Sequence, residues 1–116
     1  MNRQQGASTV HISLADWIID DDQSSEPQYA ISVVAARSGV GRSMLLRYEE
    51  WGLIEPARTG RQRLYSEADI EQAMRVRRLM DELGINLAGA AAVLHLRQQV
   101  IALQREMDHL RSQLEP

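Results

Sequence analysis

At 116 residues the chain can bury one small core, with no room for a separate effector or catalytic domain of ordinary size. All thirteen cations are arginine and cysteine is absent, which excludes disulfide staples and thiolate metal sites. No apolar run approaches the roughly 20 residues that span a bilayer, and the N-terminal stretch lacks a signal-peptide core, so a cytoplasmic protein is expected.

The net charge of −3 is unevenly distributed: residues 1–27 carry −4, residues 28–97 carry +2 and residues 98–116 carry −1. Six arginines against three acids fall within residues 37–63, so any affinity of that stretch for a polyanion should be modest and salt-sensitive.

Residues 1–28 read as an acidic arm, with a Trp17-Ile18-Ile19 island ahead of Asp20-Asp21-Asp22. Their weak apolar periodicity fits a solvated tail, and the sharper alternative is a docking peptide. Ser32 is the expected N-cap of a helix over residues 33–38, with Val34, Ala35 and Val40 facing inward and Gly39 as a left-handed stop. A second helix over residues 42–51 closes at Gly52. Leu45, Leu46, Tyr48 and Trp51 cannot all face inward, so at least one is exposed.

Leu53-Ile54 and Leu64-Tyr65 read as two short strands around a loop containing Thr59-Gly60. Two helices, a glycine turn and an arginine-rich hairpin together make a winged helix-turn-helix over residues 29–92. That geometry puts the second helix in the major groove of double-stranded DNA, offering Arg42, Ser43, Arg47 and Tyr48. Arg58, Arg61, Arg63 and Tyr65 would fix the wing on the phosphate backbone, since guanidinium forks match phosphate oxygens. The plainer alternative for the hairpin is a solvated loop.

Ser66 with Asp69 resembles a capping box, opening a helix with Ile70, Ala73, Met74, Leu79, Met80 and Leu83 at helical spacing and Gly84 as its stop. Arg75, Arg77 and Arg78 read as a solvated face. Asn86 caps a further helix, whose small residues 88–92 permit close packing. From there Val93, Leu96, Val100, Leu103, Met107, Leu110 and Leu114 alternate three- and four-residue steps, the seam of a coiled coil. Residues 93–116 are accordingly expected to form a dimerisation helix in a homodimer, with folding back on the same chain as the alternative. The fold class is mainly α: a winged helix-turn-helix followed by a C-terminal coiled-coil helix.

Catalysis finds no support. His11, His95 and His109 are isolated, and the last two lie fourteen residues apart on one helix, about 21 Å, too far to share a metal. Gly39-Val40-Gly41 lacks the preceding strand that a dinucleotide site requires. No metal or cofactor is expected.

Gly39-Val40, Tyr48-Glu49, Gly52-Leu53-Ile54, Pro56, Arg58, Arg63 and Tyr65-Ser66 fall in an order and spacing that resembles the MerR family of bacterial transcription regulators, over about residues 29–115. Within it, residues 29–35 and Gly84-Ile85-Asn86-Leu87-Ala88-Gly89 look like the heat-shock repressor branch, HspR. The resemblance implies a dimeric repressor of stress or chaperone genes on an inverted-repeat operator, with an Hsp70-type chaperone as a co-repressor. One departure stands out: where the family reads Thr-Leu-Arg-x-Tyr, this chain reads Met44-Leu45-Leu46-Arg47-Tyr48. The segment 86–94 also resembles CbpM-type chaperone modulators, which implies the alternative of binding a J-domain co-chaperone and not DNA.

Overall fold

The computed structural model describes residues 23–115, and the Trp17-Ile18-Ile19 island and the Asp20-Asp21-Asp22 run lie outside them. In chain order the elements are α1 (Ile31–Ser38), α2 (Arg42–Glu50), β1 (Ala57–Thr59), β2 (Gln62–Leu64), α3 (Glu67–Leu83) and α4 (Leu87–Leu114). The described residues up to Ala91 make one compact unit, and those from Ala92 onward belong to a second.

Helix α1 starts two residues earlier than the sequence suggested, with Ala30 and not Ser32 at the N-cap. The cause is non-local. Tyr29 and Tyr65 exchange backbone hydrogen bonds, Tyr29 N to Tyr65 O at 2.9 Å and Tyr65 N to Tyr29 O at 2.7 Å. The chain is thereby held extended as far as Ala30 (ψ 160), and the helix begins as soon as the bridge ends. Residues 24–28 run on beside the same segment, with Gln28 N bonded to Tyr65 O and Ala68 N to Ser24 O.

Gly39 terminates α1 at φ 76, in the left-handed region. A second constraint acts on the same residue. Arg77 of α3 donates from Nη1 to the Ser38 carbonyl at 3.2 Å, and a β-carbon at position 39 would lie 2.6 Å from that nitrogen. A glycine leaves room for the guanidinium in this position at the end of α1, where the helix dipole also favours a cation.

The end of α2 explains why Leu53-Ile54 is not a strand. Gly52 N bonds to Glu49 O and Leu53 N to Tyr48 O, both at 2.9 Å, which is the paired pattern of a Schellman cap. The Leu53 amide is thus consumed by the helix, and Ile54 drops into the core. The wing strands form later, antiparallel, with Ala57 opposite Leu64, Arg58 opposite Arg63 and Thr59 opposite Gln62. Of the second expected strand, Leu64 belongs to β2, whereas Tyr65 makes the isolated bridge to Tyr29.

Helix α3 opens with the expected capping box: Ser66 Oγ accepts from Asp69 N at 3.1 Å and Asp69 Oδ2 from Ser66 N at 3.0 Å. The other oxygen of Asp69 accepts from Glu55 N at 3.1 Å, so one carboxylate starts the helix and pins the loop leaving α2. Gly84 ends α3 at φ 65. In the first turn Glu67 receives both guanidinium nitrogens of Arg37, at 2.7 and 2.9 Å, and the Tyr29 hydroxyl at 2.6 Å. These hydrogen bonds, the Arg37 pair foremost, hold the Glu67 carboxyl down at about 2. The Arg37 guanidinium also lies over the Tyr29 ring, 5.4 Å from its centre.

Helices α1, α2 and α3 close a core of Val34, Val40, Leu45, Tyr48, Ile54, Tyr65, Ile70, Ala73, Val76 and Leu79. Val76 was not among the positions read from the periodicity of α3, yet it is fully buried. Each of the larger of these side chains contributes about 1.5–3 kcal/mol by leaving water.

Asn86 caps α4, its Oδ1 accepting from Gly89 N at 2.9 Å. Along α4 a buried row, Leu87, Ala90, Leu94, Arg97 and Ile101, alternates three- and four-residue steps. The seam read from the sequence lies one residue back, about 100° round the helix. Val93 and Val100 on it are half-buried, whereas Leu96, Leu103, Met107, Leu110 and Leu114 are exposed, Leu103 by 65% and Leu114 by 85%. No single helix among the described residues is long and apolar enough to cross a membrane.

Candidate nucleic-acid interface

Helix α2 buries Leu45 and Tyr48 and turns the opposite side outward. The outward stripe is Arg42, Ser43, Leu46, Arg47 and Glu50, at the i, i+1, i+4, i+5 and i+8 positions that share one face. All are exposed except Leu46, which is half-buried. Trp51, the exposed member of the aromatic and leucine set, is 49% accessible and sits past the helix end.

The wing turns on Gly60-Arg61, a two-residue loop that needs the left-handed glycine at its first position (φ 63). Its arginines differ in their engagements. Arg63 Nε donates to Glu49 Oε1 at 2.9 Å and Arg58 to Glu49 Oε2 at 3.4 Å, so a single carboxylate of α2 clasps both strands. Arg61 at the tip, like Arg42 and Arg47 on α2, has no ion-pair partner among the described residues. Between α2 and the wing lies a groove of about 280 Å³, lined by Ile31, Leu46, Arg42, Arg61, Gln62 and Arg63. It brings cations from both elements to one opening.

Two of the residues expected to touch DNA do not present side chains outward. Tyr48 is 2% and Tyr65 0% exposed, and both are core residues. Each ring is large enough that apolar burial outweighs the pull of one hydroxyl toward water, and burial raises both phenol pKa values. The Tyr65 hydroxyl has no hydrogen-bond partner among the described residues. Met44, which stands where the resemblance places a threonine, lines a separate notch with Val40, Tyr48 and Met80.

Glu49, which clasps the wing to α2, is not singled out by the sequence. Its place beside Tyr48 was seen, but its partners lie nine and fourteen residues on, and only closure of the wing brings them near. The two C-terminal histidines sit within reach of glutamines one turn along α4, Gln99 for His95 and Gln113 for His109. Among the described residues no group of three or more metal-ligating side chains forms.

The model of the MerR HTH family of regulatory proteins matches residues 29–96, the helix-turn-helix, the wing and the start of α4. The chain belongs to this family. Among its relatives, the heat shock protein HspR of Streptomyces coelicolor is 42% identical over 90 residues, 77% of this chain and 60% of that one. The HTH-type transcriptional regulator GlnR of Bacillus anthracis is 32% identical over 79 residues, 67% of this chain and 60% of its own, and GlnR of Bacillus cereus matches equally. The chain therefore spans about 60% of the length of these MerR-type relatives. In structure it is similar to the transcription regulator PbrR691 of Ralstonia metallidurans, solved in complex with lead(II), at a TM-score of 0.56 and 22% identity, covering 73% of this chain and 79% of that one. At that identity the likeness concerns the fold.

Proposed function

We propose that this MerR-family chain is a cytoplasmic, DNA-binding transcription regulator of the heat-shock repressor kind, acting as a homodimer on an inverted-repeat operator of stress or chaperone genes. The observation that carries the reading is the cationic face shared by α2 and the wing, with Arg42, Arg47 and Arg61 in no ion pair among the described residues. The 42% identity to HspR supports the branch. Arg42, Ser43 and Arg47 face the major groove in this reading, and Arg58, Arg61 and Arg63 flank it on the phosphates. Pairing through Leu96, Leu103, Met107, Leu110 and Leu114 gives the two-fold symmetry that an inverted repeat mirrors, and promoter occlusion follows from such binding. An Hsp70-type chaperone as co-repressor rests on the resemblance to the heat-shock branch.

Fluorescence anisotropy with labelled duplexes over a salt series tests it. Arg61→Ala should weaken binding to all sequences and lower the slope of log affinity on log salt by about 0.9. Arg58→Ala should lower it less, since Glu49 already neutralises that guanidinium. Arg47→Ala should shift sequence preference. Failure to hold any duplex in dilute buffer, with retention of a J-domain co-chaperone on the same protein, would replace this reading with the chaperone-modulator one.

A further inference from the structure

The outward stripe of α2 contains one side chain that its neighbours do not explain. Arg42 and Ser43 lie one turn before Leu46, Glu50 one turn after and Arg47 beside it, and only Leu46 is apolar. It is not simply a stray surface leucine. Leu46 is half-buried, shares the groove with Ile31, and is framed there by Arg42, Arg61 and Arg63. An apolar spot ringed by guanidinium groups suits a ligand that is anionic around its margin and apolar at one point.

We infer that Leu46 is a specificity-determining residue that reads the C5-methyl group of a thymine in the major groove. The inference rests on the DNA-binding reading above and deepens it. A leucine side chain can neither donate to nor accept from a base edge. Among the groups that distinguish base pairs in the major groove, the thymine methyl is the apolar one. Phosphate contacts from the wing arginines fix the register of the helix, so the leucine meets the same base each time. Partial burial beside Ile31 restricts its rotamers before binding, which lowers the ordering cost. The contact separates a T·A pair from C·G at one position, while an unmethylated pyrimidine leaves Leu46 facing water.

The test uses the full chain and a pool of random DNA duplexes, from which bound sequences are selected. Each thymine of a selected duplex is then replaced singly by deoxyuridine, which removes one methyl group and nothing else. At one thymine of each half-site the single substitution should weaken binding about fourfold, the value of one buried methyl-sized group. The same substitution should have no effect on Leu46→Ala, and selection with Leu46→Arg should recover guanine at that position, the base that takes a bidentate arginine. A cytosine placed there should regain affinity when it carries a 5-methyl group. Thermal melts of both variants establish that they fold, and the native chain alone supplies the deoxyuridine and 5-methylcytosine results. Insensitivity to deoxyuridine at every thymine, or an equal loss in Leu46→Ala, overturns the inference while DNA binding stands. Failure to enrich any duplex overturns the DNA-binding reading, and the thymine contact with it.

Discussion

The two ends of the described chain solve the problem of apolar surface in opposite ways. In the unit that ends at Ala91, three helices and a hairpin close on one another, and their termini are tied off by Ser66-Asp69, Gly39, Gly84 and the Schellman cap at Gly52. From Ala92 onward one helix carries a second apolar row that stays in water, with Leu103 and Leu114 most open. The first region is finished by local chemistry, whereas the second leaves an apolar row at three- and four-residue spacing exposed. The difference teaches that stability and assembly can be altered separately.

The largest effect should come from Leu103→Glu with Leu110→Glu. Each carboxylate in a paired seam costs about 2 kcal/mol or more, so the dimer dissociation constant should rise beyond about a thousandfold. Light scattering after size exclusion checks it, and a pair that persists would show that the exposed row is not the interface. Next in size, Gly39→Ala should cost about 1–2 kcal/mol, combining the left-handed backbone penalty with displacement of Arg77. Chemical denaturation measures it, and adding Arg77→Ala should remove the steric part while leaving the backbone part.

Asp69→Ala should cost somewhat more than Ser66→Ala, itself about 1 kcal/mol, because Asp69 also holds Glu55 N. Equal losses would mean that the loop contact contributes nothing. The smallest effect concerns acid. Glu67 is lowered from 4.5 to about 2, so its contribution is present above the unfolded value and is lost as pH falls from about 5 toward 2. Glu67→Gln should flatten the decline of melting temperature across that window, and circular dichroism melts at successive pH values would reveal it.

How much of this was legible in the sequence depended on how local the deciding interaction is. Gly39, Gly84, Asn86 and the Ser66-Asp69 box act within a turn of themselves, and the structure places each where its residue type requires. The start of α1 is not legible locally, because it is set by the bridge of Tyr29 to Tyr65, thirty-six residues further along the chain. The first wing strand was put too early because Leu53 and Ile54 look β-prone, while their actual fates are a helix cap and a core plug. At the candidate interface the arginines were readable as charge, but their division into clasped and unclasped was not. Arg58 and Arg63 differ from Arg61 only through Glu49, and no spacing rule announces a carboxylate that bridges two strands.

The arginine lodged against Gly39 has a consequence for how the second helix is aimed. Because Arg77 donates to the Ser38 carbonyl from α3, a third element and not the turn alone bears on the bend between α1 and α2. The elbow is therefore a braced joint: Arg77→Ala removes a strut supplied by α3 without altering any residue of α2.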